Sequence, residues 1–317
     1  MSSRKTHSYD AGPSSWTHLT SGKHSIILIF ARRKVRGVRG FFCYSPYVLR
    51  SRALRTIYYA LCDESPKLKG TPMRSDGRKY HELRPVKITR RFLKHPEGSV
   101  LIELGETKVI CTASVDEDLP RFLKNGNQGW VTSEYAMIPR STQTRTTRES
   151  ATGKIGGRTH EIQRLIGRSL RSVVDLFSFG KRTIWVDCDV IQADGGTRTA
   201  AITGSFVALA EAFSVLQKKG VLTSPPLKDT VAAISIGMIG KKICLDLNYE
   251  EDSRADVDMN FVMTGSGGLV EVQGTAERTP FNENDLERMM AIARKAIARL
   301  TLLQKKSLGS ALGLWKQ

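Results

Sequence analysis

The stretch Asp194-Gly195-Gly196-Thr197-Arg198-Thr199 lies between a predicted strand and a predicted helix. Residues 182–192 alternate apolar side chains with Asp187 and Asp189, which is the period of a strand. Residues 199–219 repeat apolar side chains at helical spacing, and a Lys-Lys-Gly sequence typical of a helix end follows. Two glycines allow close approach of the backbone, the first helical turn offers free N–H groups, and Arg198 adds a fork of donors. The stretch alone therefore indicates either an anion site, usually for phosphate, or a plain Gly-Gly turn with a solvated arginine.

The composition bounds the protein class. The 317 residues, 40% of them hydrophobic, suffice for one large or two modest domains. No continuous apolar run reaches the roughly 18 residues of a membrane span, so no membrane partner is expected. The net charge is +18, of which +10 lies in residues 1–72, and the remainder is still basic. A polyanionic partner such as nucleic acid fits this charge, although charge alone is weak support.

The five cysteines are odd in number and show neither CxxC nor Cys/His spacing. This usage is typical of a reduced, cytoplasmic protein without a zinc site.

Residues 1–72 differ from the rest of the chain. They are rich in Ser, Arg and Tyr and lack a sustained apolar period, which predicts a basic, disordered N-terminal extension. A translated upstream region without a role and an organellar transit peptide are the alternatives. The predicted folded domain covers residues 73–309, and residues 310–317 are predicted to form a C-terminal tail.

The first half of that domain contains strands followed by a helix. Residues 99–104 and 107–115 predict a hairpin around Gly105-Glu106, and residues 129–138 predict a third strand. A polar segment follows, with Arg140, Arg145 and Arg148 in it. Residues 157–176 then predict a helix with one apolar face.

The second half repeats this order on a shorter scale. Strands are predicted at residues 231–238, 242–247, 257–263 and 269–273, and a helix at residues 283–306. Strand blocks followed by helices, twice over, predict an α+β fold with two layers. The expected architecture has mixed β-sheets packed against helices in pseudo-duplicated halves.

An acidic cluster at residues 250–258 carries the second candidate site. Glu250 and Glu251 fit a solvated loop. Asp258 does not, because it lies between Val257 and Met259 in an apolar strand, where a carboxylate needs a partner or a cation. Gly265-Ser266-Gly267-Gly268 leads into a strand, so it predicts a hairpin turn and not a dinucleotide loop. No Walker A loop, zinc ligand set or Ser/His/Asp elbow is recognisable.

Several motifs together resemble the bacterial ribonuclease PH family. They run almost without gaps over residues 73–309 and are Met73-Arg74-Ser75-Asp76-Gly77-Arg78, His95-Pro96-Glu97-Gly98-Ser99, Gly157-Arg158-Thr159, residues 161–168, the Gly-Gly-Thr-Arg-Thr loop and Asn248-Tyr249-Glu250-Glu251-Asp252. The resemblance implies a phosphorolytic 3′-to-5′ exoribonuclease, a tRNA nucleotidyltransferase that trims precursor tRNA and other RNA, including rRNA. It would transfer the terminal nucleotide to inorganic phosphate and release a nucleoside diphosphate.

The resemblance also implies roles for individual residues. Phosphate would bind Arg158, Gly196, Thr197 and Arg198, and the essential aspartates would be Asp252 and Asp258. RNA would bind Arg140, Arg145 and Arg148. The family assembles as a homohexamer, a trimer of dimers.

The chemistry suits these residue types. Phosphate is already a nucleophile near neutral pH, so the main task is to hold two repelling phosphates in line. Mg²⁺ on Asp252 and Asp258 would offset charge on the scissile phosphate, or one aspartate would protonate the leaving 3′ oxygen; the sequence leaves this division open. Two alternatives remain: a non-catalytic RNA-binding ring subunit of the same fold, and a basic RNA-binding or ribosome-associated protein with an incidental acidic cluster.

Overall fold

The computed structural model describes residues 74–222 and 226–309, together with the backbone of four strands nearer the N-terminus. The chain divides into two compact units, Met1–Gly70 and Thr71–Gln317. In the first unit, β1 (Ser8–Ala11), β2 (Ser14–Ser21), β3 (His24–Ala31) and β4 (Phe42–Cys43) form an antiparallel sheet in that order. The predicted disorder of residues 1–72 and the predicted tail 310–317 fall mainly or wholly outside the described residues and stay predictions.

The first sheet of the second unit has five strands in the order β5-β6-β7-β9-β8. These are β5 (Val86–Arg90), β6 (Gly98–Leu104), β7 (Thr107–Asp116), β8 (Trp130–Met137) and β9 (Thr183–Gln192). Only β8 and β9 pair in parallel. Because the carboxyl ends of parallel strands meet at one edge, the arginine-rich segment after β8 and the Gly-Gly loop after β9 begin side by side.

The second sheet has four antiparallel strands in the order β11-β10-β12-β13. These are β10 (Val231–Ile239), β11 (Lys242–Leu245), β12 (Val257–Thr264) and β13 (Leu269–Ala276). Residues 265–268 turn the chain between β12 and β13, where Thr264 N–H donates to Gly268 O at 2.8 Å. The predicted hairpin turn is therefore confirmed.

The helices are α1 (Gly157–Ser172), α2 (Thr197–Lys218), the single turn α3 (Tyr249–Asp252) and α4 (Glu283–Leu308). The sequence predicted one apolar stripe on α2, but α2 is buried almost all round, because it packs against β6 and β7 of the first sheet and β10 of the second. By length and composition α2 could cross a membrane, but 89% of the apolar window is buried inside the fold. It is the core helix of the second unit.

The predicted combination of mixed sheets and helices is confirmed, with two local differences. The sequence did not predict β5 or α3, and α1 ends at Ser172, before the expected residue 176. Helix α4 packs on the second sheet through Met289, Ala293, Ile297 and Leu300, with Val257, Met259 and Phe261 opposite.

Candidate active site

The loop between β9 and α2 has the conformation that its glycines allow. Gly195 and Gly196 have φ angles of 72° and 65°, a left-handed region that side chains with a Cβ rarely adopt. A Cβ on Gly195 would lie 2.5 Å from the Leu247 carbonyl oxygen, so the space is closed as well. The Gly195 carbonyl accepts hydrogen bonds from Thr107 Oγ1 at 2.7 Å and from Arg84 at 3.3 Å. These contacts fix the loop at the amino end of α2, where unpaired N–H groups favour an anion.

A cavity of about 840 Å³ opens beside this loop. It brings together four residues predicted from the sequence, Arg158, Arg198, Asp252 and Asp258. Residues that the sequence reasoning missed complete its lining: Glu161, Ser253, Ala255, Asn260, Gln273, Gly274, Thr275, Glu277 and Arg278. The missed polar residues come mainly from the end of β13 and the residues after it, and β13 meets α1 and α2 only in the folded protein.

Arg198 is held in place from the β13 side. Its Nη1 donates to Gln273 Oε1 at 3.1 Å and lies 3.6 Å from the Glu161 carboxylate. Gln273 in turn donates to Glu161 at 3.2 Å and to Glu271 at 2.9 Å. The guanidinium is therefore oriented before any ligand arrives, without a close ion pair that would neutralise it.

Asp258 has the orientation that the sequence predicted. Val257 and Met259 belong to the core under α4, whereas Asp258 faces the cavity. Its Oδ1 atom is buried and has no hydrogen-bond partner. Burial, followed by the neighbouring Asp252 carboxylate, raises the pKa of Asp258 to about 6, although Arg198 and Arg158 act in the opposite direction.

Asp252 lies at the exposed rim of the same cavity. Partial burial raises its pKa above the ordinary value, and Arg158, Arg198 and Arg84 limit that rise. The Asp252 and Asp258 carboxylates thus face a common space, and ionisation of both groups costs free energy. A cation, a proton or a hydrogen-bond donor would relieve that cost.

Thr197, the first residue of α2, has a buried partner. The Tyr135 hydroxyl donates to Thr197 Oγ1 at 2.8 Å, and Tyr135 is only 4% exposed. Burial raises the pKa of Tyr135, so its hydroxyl remains a donor throughout the neutral range. Since Thr197 Oγ1 accepts that bond, its own proton is free to point elsewhere.

Helix α3 rests on buried arginines. Asn248 caps it and forms a capping box with Glu251. Glu251 is 7% exposed and forms an ion pair with the buried Arg74. The expectation that Glu251 lies in a solvated loop is therefore wrong, because Arg74 reaches it from 177 residues away in the chain.

A second buried arginine supports the Gly-Gly loop. Arg84 pairs with the fully buried Asp246 at 2.7 Å and also donates to the Asp194 and Gly195 carbonyl groups. Arg78 lies 3.6 Å from the same aspartate and pairs with Asp76 at 2.6 Å. The arginines around the Met73–Arg78 motif therefore support the site and do not line its cavity, a role for which the local sequence carries no signal.

Arg140, Arg145 and Arg148 are exposed and do not line the cavity. Their segment is tied to the end of β9, because Ala193 N–H donates to Ser141 O at 2.8 Å. The segment that carries the three arginines therefore starts at the edge at which the Gly-Gly loop begins. Their contact with RNA stays a prediction.

The site fits a metal that needs few protein ligands. Among residues 74–222 and 226–309, no group of three or more His, Cys, Asp or Glu residues is arranged to hold an ion. Mg²⁺ usually keeps several waters and binds one or two carboxylates together with substrate phosphates. The orphaned Asp258 oxygen and the facing Asp252 carboxylate match that requirement.

Comparison with protein families identifies two matching regions. Residues 82–213 match the 3′ exoribonuclease family, domain 1, and residues 229–296 match the 3′ exoribonuclease family, domain 2. The chain is 58% identical over 241 residues to a Bacillus velezensis protein named Ribonuclease PH, a match that covers 76% of this chain and 98% of that protein. A Moorella thermoacetica protein of the same name is 59% identical and covers 75% and 95% of the two chains. Bacillus subtilis Ribonuclease PH is 58% identical over 76% and 98%.

Solved structures share the fold at much lower identity. Rice Rrp46 superposes with a TM-score of 0.60 at 22% identity, over 74% of this chain and all of that one. The Archaeoglobus fulgidus exosome with RNA bound to the active site gives a TM-score of 0.61 at 20% identity, over 80% and 96% of the two chains.

Proposed function

The chain belongs to the ribonuclease PH family of 3′ exoribonucleases, and on that premise we propose that it trims RNA in the cavity around Asp258. As a family member it is a phosphorolytic 3′-to-5′ exoribonuclease, a nucleotidyltransferase of tRNA processing with inorganic phosphate as co-substrate. One observation carries the assignment of the cavity: the guanidinium groups of Arg158 and Arg198 and the carboxylates of Asp252 and Asp258 face the same 840 Å³ space beside a helix amino end.

In the proposed mechanism Arg158, Arg198, Thr197 and the backbone of Gly196 bind inorganic phosphate. Arg198, held by Gln273, presents its remaining N–H groups to the anion, and the free Thr197 proton completes the set. A phosphate oxygen attacks the last phosphodiester phosphorus of the RNA, the bond from phosphorus to the 3′ oxygen breaks, and a nucleoside diphosphate leaves. Because both reactants are anionic, the guanidinium groups lower the cost of bringing them together.

The leaving 3′ oxygen needs charge neutralisation, which the aspartates would supply. Below about pH 6 Asp258 carries a proton that it can donate to this oxygen. Above that pH Asp252 and Asp258 are both anionic, and we propose that they hold Mg²⁺. The ion would offset the negative charge that develops around the scissile phosphate.

Arg140, Arg145 and Arg148 are proposed to bind the RNA backbone near its 3′ end. Their exposure leaves them available to phosphates. Their position beside the Gly-Gly loop would direct an RNA strand towards the cavity.

The test is incubation of the protein with a 3′-extended tRNA in the presence and absence of phosphate. The proposed function predicts shortening only with phosphate, with nucleoside diphosphates as products. Nucleoside monophosphates would indicate hydrolysis and contradict it. Binding without shortening would support the non-catalytic ring subunit or the basic RNA-binding protein. A 3′-extended rRNA precursor in the same assay tests the proposed action on rRNA.

We also propose a homohexamer, a trimer of dimers, in the cytoplasm. The assembly rests on family membership, and the free buried thiols Cys111, Cys188 and Cys244 fit a reducing compartment. Light scattering should give six times the chain mass of 35.2 kDa, and cell fractionation should recover the protein with cytoplasmic markers. A monomer, or recovery with membranes, would contradict these proposals.

The catalytic domain is proposed to be residues 73–309. The relatives in two Bacillus species match 241 of the 317 residues, and the family models match residues 82–213 and 229–296, which supports a catalytic domain that does not include residues 1–72. Deletion of residues 1–72 should therefore leave ring formation and phosphorolysis nearly unchanged. Loss of the ring or of most activity would contradict that domain boundary.

A further inference from the structure

Helix α4 carries a line of basic side chains on the face that points away from its core stripe. Arg288, Lys295, Arg299 and Lys306 recur every seven, four and seven residues, which places them within about 40° of one another around the helix. All four are exposed. We call these four residues the α4 ridge, and at 1.5 Å per residue it extends over about 27 Å.

The charges of the α4 ridge are largely uncompensated. Arg288 pairs with Asp285 at 3.3 Å. Within the described part of the chain, no carboxylate lies within ion-pair distance of Lys295, Arg299 or Lys306. Leu302 lies between the last two cations and is 68% exposed. By contrast, Arg294, outside the ridge on the same helix, donates to Gly267 O at 3.1 Å.

His81 reports the electrostatic effect of the α4 ridge. Partial burial lowers the pKa of His81, and Lys295 and Arg288 lower it further. Both cations therefore lie close enough to the same imidazole to oppose its protonation by charge repulsion. An anion bound at that end of the ridge would remove part of this repulsion.

A short stretch of chain connects the cavity to the amino end of the α4 ridge. Arg278 lines the cavity, and the helix cap Asn282 follows four residues later, so the two are at most about 14 Å apart. Arg288 lies about 9 Å further along the helix. Arg288 therefore lies within about 23 Å of Arg278, on the α4 side of the second sheet, whereas Asp258 faces the cavity on the other side of that sheet. An RNA that reaches both must pass around the edge strand β13.

We propose that the α4 ridge binds the phosphate backbone of the RNA substrate upstream of the 3′ end that occupies the cavity. The proposal rests on the proposed function, because it takes the RNA that is cleaved as the occupant. Charge complementarity selects this partner: four exposed cations along about 27 Å of one helix face, of which only Arg288 is paired among the described residues, suit a polyanion such as an RNA backbone. The body of a precursor tRNA is long enough to follow the ridge, whereas a four-nucleotide RNA spans only about 14 Å at 3.4 Å per stacked nucleotide.

The experiment compares two pairs of substitutions in the full-length protein. Lys295→Gln with Arg299→Gln removes two charges from the ridge. Lys218→Gln with Lys219→Gln, at the exposed end of α2, removes the same charge elsewhere and serves as the matched control. Binding of a labelled 3′-extended tRNA and of a four-nucleotide RNA is measured without phosphate, so that no turnover occurs.

The ridge variant should bind the precursor tRNA about tenfold more weakly at 0.1 M salt, and the slope of log affinity against log salt should fall by about two. Its binding and phosphorolysis of the four-nucleotide RNA should stay unchanged, and the control variant should match the wild type. In the wild type, precursor tRNA should raise the pKa of His81, followed by NMR of its ring, whereas the short RNA should not.

Unchanged precursor binding in the ridge variant, or equal weakening in the control variant, would overturn the proposal. A changed assembly mass of the ridge variant would also overturn it, because the ridge would then be a contact between subunits. Phosphorolysis of the 3′-extended tRNA separates the two hypotheses: if the wild type lacks it, the proposed function fails, whereas precursor binding without phosphate still tests the ridge.

Discussion

Two regions of the second unit use the same residue types in opposite ways. The paired cluster consists of Arg74, Arg78, Arg84, Asp246 and Glu251, and its members are at most 9% exposed. Arg74 pairs with Glu251 and Arg84 with Asp246, so the buried charges have close partners. The cavity places Arg158, Arg198, Asp252 and Asp258 around solvent, and among the described residues Arg198 makes the only ion pair of these four, a loose one at 3.6 Å.

The difference shows how to tell arginine and carboxylate side chains that stabilise the structure from those that are available for binding and catalysis. A buried pair with complete hydrogen bonding holds backbone in place, here the Gly-Gly loop and α3. Charges that face each other without pairing are costly in the folded protein and keep their binding capacity for a ligand. The orphaned Asp258 oxygen is the clearest instance in the cavity.

The largest expected effect tests the cavity. Asp258→Asn keeps the size of the side chain and removes its charge, so turnover should fall at least about a thousandfold while RNA still binds. Steady-state phosphorolysis and RNA binding without phosphate are the two measurements. Turnover within tenfold of the wild type would remove Asp258 from the mechanism.

The same substitution should stabilise the protein in cation-free buffer. Asp258 has a folded-state pKa of about 6 against an ordinary value of 3.8. Between these values the folded state binds more protons than the unfolded state, so the free energy of unfolding falls as pH rises from about 4 to about 6. Above pH 7 Asp258→Asn should therefore be more stable than the wild type by about 3 kcal/mol, and below pH 4 the two should be equal. The measurement is denaturant unfolding of both proteins across this pH range. If the difference in their free energies of unfolding did not change with pH, the raised pKa of Asp258 would be wrong.

The next effect tests the paired cluster. Arg84→Ala leaves the fully buried Asp246 with the backbone N–H of residue 84 but no cation closer than Arg78 at 3.6 Å, and should lower the free energy of unfolding by about 3–5 kcal/mol. Lys87→Ala is the control, because Lys87 is 73% exposed in its 3.0 Å pair with Glu103 and should cost less than about 1 kcal/mol. Equal losses in the two variants, measured by denaturant unfolding, would show that burial does not distinguish these pairs.

A smaller effect separates the cavity arginines from those on the exposed segment. Arg158→Ala or Arg198→Ala removes a charge-assisted hydrogen bond worth about 1.5–3 kcal/mol, so phosphate use should weaken about ten- to a hundredfold with little change in RNA affinity. Arg140→Ala, Arg145→Ala and Arg148→Ala should instead weaken RNA binding, and the salt slope should fall by about 0.7 for each RNA phosphate that is no longer neutralised.

Phosphate is titrated at saturating RNA, and RNA at saturating phosphate, for each of these five variants. If both groups of arginines changed the same constant to the same extent, the division between phosphate binding and RNA binding would be wrong.

Most helices and strands could be predicted from the sequence, because the spacing of apolar residues that identifies each one lies within that segment of the chain. The hairpin β6–β7, the strand β9 and the helices α1, α2 and α4 were all expected within a few residues of their observed bounds. The five-residue edge strand β5 and the single turn α3 were not, because such short elements depend on partners elsewhere in the chain. The orientation of the Asp258 side chain, away from the core formed by its two neighbours, followed from strand alternation alone.

The supports of the site were not predictable in the same way. Arg74 meets Glu251 and Arg84 meets Asp246 across more than 160 residues, and no local period encodes such a pair. Gln273 and Tyr135 were missed for a related reason: each lies in an ordinary strand pattern, and only the packing of β13 and β8 near α2 brings it to Arg198 or Thr197.

The smallest expected effect lies where the two regions meet, at Tyr135. Its buried hydroxyl belongs to the support, but its partner Thr197 is proposed to bind phosphate. Tyr135→Phe removes one hydrogen bond of about 1 kcal/mol, so the Thr197 hydroxyl is no longer oriented and the KM for phosphate should rise about fivefold. The KM for RNA should not change, because Tyr135 itself is not proposed to touch RNA. Tyr80→Phe is the control, since the Tyr80 hydroxyl contacts Lys242 at 3.0 Å on the surface and away from the cavity. If Tyr135 has only a structural role, Tyr135→Phe will lower the free energy of unfolding without changing the KM for phosphate. That result would group Tyr135 with the structural residues of the paired cluster.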